Sequence, residues 1–332
     1  MQIENSFTRM FNLRLPIIMA PMFLVSNVEM VNAALKRGIM GTFPTLNFRK
    51  EGELKTVIES IKNYRDTNQI VQGSFGVNLI VQKTNPMYQK HLKICADGGV
   101  PFYITSLGNP AEVIKIAHSY GAKVFCDVTN STHAQKGFDN GCDGFIAVSQ
   151  GAGGHAGPYP NSILVPTLHS HFASKPVIAA GGVATGASII SMLALGAAGV
   201  SIGTRFIASN EASVSGAYKD AVVNSGMEDI VLTERISGTP CTIINTPYAK
   251  KIGYKQSWFE RMLSNSPRTK KYFKMLVQVR GMKKLEDAVK PGNYNNLWCA
   301  GQSVEMIHEI LQERDVLKTV RKSVCVLCMY VA

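Results

Sequence analysis

Val177-Ile-Ala-Ala-Gly-Gly-Val183 is an apolar strand that runs into two glycines, and Gly199-Val-Ser-Ile-Gly-Thr-Arg205 repeats the pattern with a Gly-Thr end. Between them, Ala184-Thr-Gly-Ala187 opens a helical stretch over 187–195. Glycine permits a tight turn and bares backbone N–H groups, and a helix N-terminus beside such a turn is a ready anion site. Working backwards, six more short apolar segments precede this pair, at 17–20, 39–42, 75–78, 102–105, 124–127 and 144–148. Each ends in small or polar residues, and the total is eight. Continuous apolar runs of this length fit strands covered on both faces, as in a parallel sheet. Helical patterns at 27–37, 53–64, 110–120, 131–140 and 187–195 alternate with them. Eight right-handed strand–helix units close a (β/α)8 TIM barrel, with an open doubly wound sheet as the alternative. In the barrel, the two glycine-ended strands are the seventh and eighth, whose loops commonly bind phosphate.

After Ile202 the rhythm changes. Residues 206–290 read as helices with a basic surface and no further strand, which predicts an inserted helical lid domain. Leu297-Trp-Cys-Ala-Gly301 reads as a loop and 303–317 as an amphipathic final helix. The barrel is therefore expected to comprise 1–205 and 291–332.

With 45% hydrophobic and 17% charged residues, the chain can fill a large core, and global disorder is not indicated. The net charge of +12 favours anionic partners such as a phosphorylated cofactor or an acidic carrier protein. Much of the excess lies in 249–290, where a solvated helical face is the ordinary reading. No interleaved aromatic pattern or zinc-finger spacing points to nucleic acid. The seven cysteines are scattered and odd in number, which predicts reduced thiols in a cytoplasmic protein. Cys325-x-x-Cys328 has a redox spacing but sits in an apolar tail without strand–helix context. No run is long and apolar enough to predict a membrane span or signal peptide.

The candidate chemistry gathers at one end of the predicted barrel. Ser149-Gln-Gly-Ala-Gly-Gly-His-Ala-Gly-Pro158 follows the sixth strand and sets His155 among glycines, including Gly153 and Gly154. It matches G-x-G-x-x-A formally, but prolines stand where that motif needs a helix. His155 is the best general acid/base, since an unperturbed imidazole titrates near neutrality. The other six histidines read as surface or packing residues. Met19-Ala-Pro-Met22, Gly76-Val-Asn-Leu79 and Thr105-Ser-Leu-Gly-Asn-Pro110 close the first, third and fourth strands. An isoalloxazine ring needs amide groups along its pyrimidine edge and small residues against its face. Asn78 can supply both donor and acceptor, and Ala20, Pro21 and Met22 can lie along the ring. No metal-ligand spacing, P-loop or G-x-S-x-G is present.

In this order, the segments resemble the nitronate monooxygenase (2-nitropropane dioxygenase) family of FMN-dependent barrels. The resemblance runs through Leu15-Pro-Ile-Ile-Met-Ala-Pro-Met22, Gly154-His-Ala-Gly157, Ala179-Ala-Gly-Gly-Val183, Gly203-Thr-Arg-Phe206 and Trp298-Cys-Ala-Gly-Gln302. It implies that Gly181, Gly182, Gly203 and Thr204 hold the FMN phosphate. It also implies that Ala20, Met22 and Asn78 meet the ring, that Gln150, Gly301 and Gln302 lie close to it, and that His155 is the catalytic base. Two departures are evident. Ser149-Gln-Gly stands where many members carry a Glu, and Asp127 ends the fifth strand where some members place a Lys.

Three activities follow as expectations. The first is oxidation of alkyl nitronates with O2 to carbonyl compounds and nitrite. The second is FMN-dependent reduction of an enoyl thioester by NAD(P)H, in which the basic 249–290 run would dock an acidic carrier protein. The third is flavin binding without turnover, against which His155 argues. Small-molecule substrates, no nucleic acid, no membrane and compatibility with a homodimer complete the reading.

Overall fold

The computed structural model describes residues 2–82, 84–235, 240–255, 297–312 and 315. Strands β1 (Ile17–Met19), β2 (Met40–Pro44), β3 (Ser74–Ile80), β4 (Phe102–Ser106), β5 (Lys123–Val128) and β6 (Gly144–Val148) come first. The short β7 (Gly154–His155) then precedes β8 (Val177–Ala180) and β9 (Gly199–Ile202). All but β7 are parallel and close a barrel, β9 returning to β1 through Ile17↔Val200 to Met19↔Ile202. The closed barrel holds, and the open sheet is excluded.

The helices include α1 (Ser6–Phe11), α2 (Val28–Lys36), α3 (Glu53–Thr67), α4 (Tyr88–Asp97), α5 (Ala111–His118), α6 (Ser131–Asp139), α7 (Asn161–His171) and α8 (Gly186–Ala194). Asn27, Asn130 and Thr185 cap α2, α6 and α8 by accepting from the backbone N–H three residues on. None of these helices is long and apolar enough to cross a membrane, among the described residues.

Strand alternation sorts the side chains into two layers. Outward residues such as Val77, Tyr103, Val124, Cys126, Ala147 and Val200 pack against the helices. Inward residues Ile18, Met40, Phe102, Ile104, Phe125, Ile146 and Ile178 fill the barrel. Helix α1, in a stretch with no expected element, closes the lower end. Asn5 caps it, and Phe7 and Phe11 enter the inward cluster, Phe11 meeting Phe102 edge-on at 4.9 Å between centroids.

Beyond the barrel, α9 (Thr204–Ile207), α10 (Gly216–Asn224) and α11 (Pro247–Ile252) agree with the helical expectation for 206–290. The expectation of no further strand is corrected. Strands β10 (Ile230–Thr233) and β11 (Cys241–Ile244) pair antiparallel, and β11 also pairs with β7 through Cys241↔His155 and Thr242↔Gly154. Both are rich in β-branched residues, which pack well on a pleated surface. Over 303–312 the expected final helix is likewise corrected, since Gln302–Met306 is a 3-10 turn and Ile307 to Gln312 is not helical; Asp315 is helical, and the rest of 303–317 lies outside the described residues. Most of the basic run, from 256 to 290, and the Cys325–Cys328 pair lie outside the described residues.

Candidate active site

The next inward positions above the filled layer form the mouth, and its two sides are built differently. On β3, β4 and β5 these positions are Asn78, Ser106 and Asp127. The Asn78 amide donates to the Ile104 carbonyl at 3.2 Å and to the Ser106 hydroxyl at 2.6 Å, and Ser106 donates in turn to Asp127. Both Asn78 N–H groups are thereby committed, leaving Oδ1, an acceptor, for a ligand. The expectation that Asn78 offers both donor and acceptor is narrowed accordingly. Burial pushes the Asp127 carboxyl up to about 6, although the Ser106 hydrogen bond works the other way.

The opposite side is held by backbone packing. Gly181 and Gly182 follow β8 with φ of +101° and +73°. A Cβ on Gly181 would lie 2.4 Å from the Ala152 nitrogen, and one on Gly157 would lie 2.2 Å from the Val148 oxygen. The Gly182 N–H, expected to be bare, donates to the Gly151 carbonyl at 3.1 Å, and Asn161 donates to the Gly181 carbonyl at 2.6 Å. Gly153 and Gly301 interlock: a Cβ on Gly153 would stand 2.8 Å from the Gly301 nitrogen. Thr204 is buried, and its hydroxyl accepts from the Gly301 N–H at 3.0 Å, which ties the returning segment to the end of β9. Most loop glycines thus serve close backbone approach. A Cβ on Gly182 would meet nothing within 4 Å, and one on Gly203 would meet only Met22 and Ala20, at 3.6 to 3.8 Å. These two positions, with Ala20 and Met22, leave an open cradle of small and apolar groups.

The turn at Ala20-Pro21-Met22 is braced by residues that the sequence did not single out. The Ser26 hydroxyl accepts from the Met22 N–H at 2.9 Å and donates to the Ala20 carbonyl at 3.1 Å, while Asn47 donates to the Met22 carbonyl at 3.2 Å. Gln150 and Gln302 are exposed beside the glycine loop and the return segment, and the Gln150 N–H donates to the Tyr159 carbonyl.

His155 owes its position to the sheet from the insertion. As part of β7 it is paired with β11, and the Thr242 hydroxyl bonds the Ala152 and Gly154 carbonyls at 2.5 and 3.2 Å. Its side chain reaches solvent, yet protein crowds it on most sides. The lost hydration lowers its pKa below the ordinary histidine value, so the imidazole is neutral at neutral pH and able to accept a proton. Behind it, the thiols of Cys241 and Cys299 stand 3.9 Å apart, and Tyr218 stacks on Trp298 while donating to the Cys299 carbonyl.

A family model described as nitronate monooxygenase matches residues 4–322. The chain belongs to the nitronate monooxygenase family. Members similar to it carry different names. A (3aS,4S,5R,7aS)-5-hydroxy-7a-methyl-1-oxo-octahydro-1H-indene-4-carboxyl-CoA dehydrogenase of Mycobacterium tuberculosis is 27% identical over 83% of this chain and 76% of its own. A probable nitronate monooxygenase of Staphylococcus aureus is 26% identical over 75% of this chain and 80% of its own. Among solved structures, FabK from Thermotoga maritima superposes with a TM-score of 0.84 at 26% identity, covering 99% of both chains. A nitroalkane oxidase of Streptomyces ansochromogenes, 21% identical with a TM-score of 0.81 over 99% of this chain and all of its own, shows the same fold. The chain is accordingly an oxidoreductase of this family, with the closed (β/α)8 barrel as its frame.

Proposed function

We propose that this chain is an FMN-dependent oxidoreductase that oxidises alkyl nitronates with O2 to carbonyl compounds and nitrite, and that accepts nitroalkanes after His155 removes the α-proton. The observation that carries the reading is the placement of His155 by a strand pair at the edge of a mouth with one polar and one apolar side, where burial lowers its pKa. The cradle at Gly182, Gly203, Ala20 and Met22 has room for a flat cofactor, and the Oδ1 of Asn78 complements the N–H of a pyrimidine edge. Bound FMN would supply electron acceptance and reaction with oxygen. Its phosphate would lie against the Gly181–Gly182 turn and the N-terminus of α9 at Gly203 and Thr204, with Gly153, Gly154, Gln150 and Gln302 on the flank. His155 Nε2 or Nδ1 takes the α-proton, and the Thr242 clamp keeps the ring in reach. Strand β11, from the region after the barrel strands, backs this histidine, in a cytoplasmic enzyme acting on small molecules.

A second reading, reduction or oxidation next to an acyl thioester, is favoured by Asp127. A carboxylate in the mouth repels a nitronate anion but tolerates a neutral thioester. The dehydrogenase named for a carboxyl-CoA substrate supports the same direction.

Anaerobic stopped-flow of FMN-loaded protein separates the two. Rapid bleaching by propyl-2-nitronate, with nitrite released once air is admitted, is the expected result. Bleaching by NAD(P)H with no response to nitronate would reject the first reading in favour of the second. The rate with neutral nitroalkane should rise with pH to a plateau through an apparent pKa below the ordinary histidine value, because burial lowers the His155 pKa.

A further inference from the structure

The carboxyl group at the end of β5 is chemically out of place unless it handles a proton. Asp127 points into the barrel, since its neighbours Cys126 and Val128 pack outward against the helices. It lies one inward step above Phe125. Among the described residues its hydrogen-bond partner is the Ser106 hydroxyl, itself anchored by Asn78, whose other N–H is held by the Ile104 carbonyl. Three adjacent strand ends therefore converge to hold one carboxylate. The groups facing it supply no counter-charge. Strand β4 brings Ser106, and β6 (Gly-Phe-Ile-Ala-Val) brings no ionisable residue. On its own strand, Cys126 lies on the outer face against Thr105, and Lys123 is at the far end bonded to Asp143. Past β5, His133 engages Thr129. Burial is the main influence on its titration, and no cation contributes among the described residues. A carboxylate kept unpaired in a recess is costly to maintain as a structural brace, because an amide would hydrogen-bond Ser106 as well without the desolvation penalty.

We propose that Asp127 takes up the second proton when a flavin bound in this mouth is reduced by two electrons, with Ser106 and Asn78 as the residues that position its carboxylate. The inference rests on the flavin reading above. Two electrons and one proton pass to the flavin from the reductant, a carbon acid or a reduced nicotinamide. The added negative charge shares the recess with the carboxylate. Like charges there raise the carboxyl's proton affinity further, and a proton from water forms an O–H bond on Asp127. Net charge in the mouth is then unchanged by turnover. Because this carboxyl starts at about 6 rather than in the usual carboxylate range, a modest increase brings it across neutral pH.

The test is the midpoint potential of the FMN-loaded protein as a function of pH, read spectrophotometrically with mediator dyes, alongside infrared difference spectra of the reduced and oxidised forms. Wild type should take up two protons per two electrons above about pH 6 and one below it, with a protonated-carboxyl band appearing on reduction. Asp127→Asn should halve the slope above pH 6 and abolish the band. Ser106→Ala keeps the carboxyl but removes the hydrogen bond that lowers its pKa, so the break near pH 6 should move to higher pH. This second variant decides the matter if Asp127→Asn does not fold. An unaltered two-proton slope in Asp127→Asn, or an unmoved break in Ser106→Ala, overturns the inference while leaving the flavin reading intact. A protein that shows no bound-flavin spectrum overturns that reading and the inference with it.

Discussion

The two sides of the mouth reach similar rigidity by opposite means. The wall over β3, β4 and β5 is a chain of side-chain hydrogen bonds, Asn78 to Ser106 to Asp127. The wall formed by 149–157, 181–182 and 300–301 is backbone against backbone, with glycine at most contacts. Side chains can be exchanged one at a time, and their pKa values and hydrogen-bonding patterns tuned. Interlocked backbone has no such freedom, because a Cβ added at Gly153, Gly157, Gly181 or Gly301 must displace a main-chain atom. The first wall is where an enzyme of this frame can change its chemistry, and the second is where it cannot.

Removing the group that the backbone wall presents should have the largest effect. His155→Ala should lower kcat/KM for a neutral nitroalkane by about 10²–10⁴-fold, and do much less with preformed nitronate, as steady-state rates on the two substrates will reveal. Equal losses on both would mean that His155 serves binding and not proton removal. Next comes the wall itself. Gly181→Ala must accommodate both a φ of +101° and a 2.4 Å approach to Ala152, and should destabilise the fold by on the order of 3 kcal/mol in urea titrations. A midpoint like that of wild type would show that the wall yields more readily than its packing indicates. Thr242→Val removes the clamp on the Ala152 and Gly154 carbonyls without touching the ring of His155. Turnover should fall roughly tenfold, while stability changes by about 1 kcal/mol.

The polar wall should respond with the opposite sign. The folded-state pKa of Asp127, about 6, lies above its ordinary 3.8. The stability tied to its protonated form is therefore complete below pH 4 and lost as pH rises through 6. Asp127→Asn avoids that loss, and thermal unfolding should find it more stable than wild type at pH 8 by on the order of 1 kcal/mol, the full shift being discounted for partial access to water. The advantage should vanish at pH 4. A destabilised variant at pH 8 would make the carboxylate a structural brace after all.

The barrel was legible because each of its strands is buried on both faces and stands between amphipathic helices, so that 144–148 could be delimited to the residue and 177–180 likewise. The glycine turns and His155 were legible because few other arrangements need glycine so densely. What escaped notice depends on distance. Strand β11 is four residues long and, besides its neighbour β10, finds a second partner in a two-residue strand far upstream, a pairing with no local periodicity to announce it. Its run of Cys-Thr-Ile-Ile was the available signal, hidden beside basic, helix-like sequence. Ser106 was visible as a strand end, but its link to Asn78 and Asp127 follows from the stagger of closed strands, which no single segment encodes.

The interlock of Gly153 with Gly301 also sets an order of events during synthesis. Once Ile202 has been added, all eight barrel strands exist, yet neither Thr242 nor Gly301 has been made. At ribosomal speeds of about 5–20 residues per second, roughly 5–20 s pass before the last of these arrives. Through that interval the nascent chain can close its barrel while the histidine loop lacks both its clamp and its backing. Reactivity is thereby withheld until Gly301 has been made, and a ribosome that stalls before it releases a barrel without a working histidine.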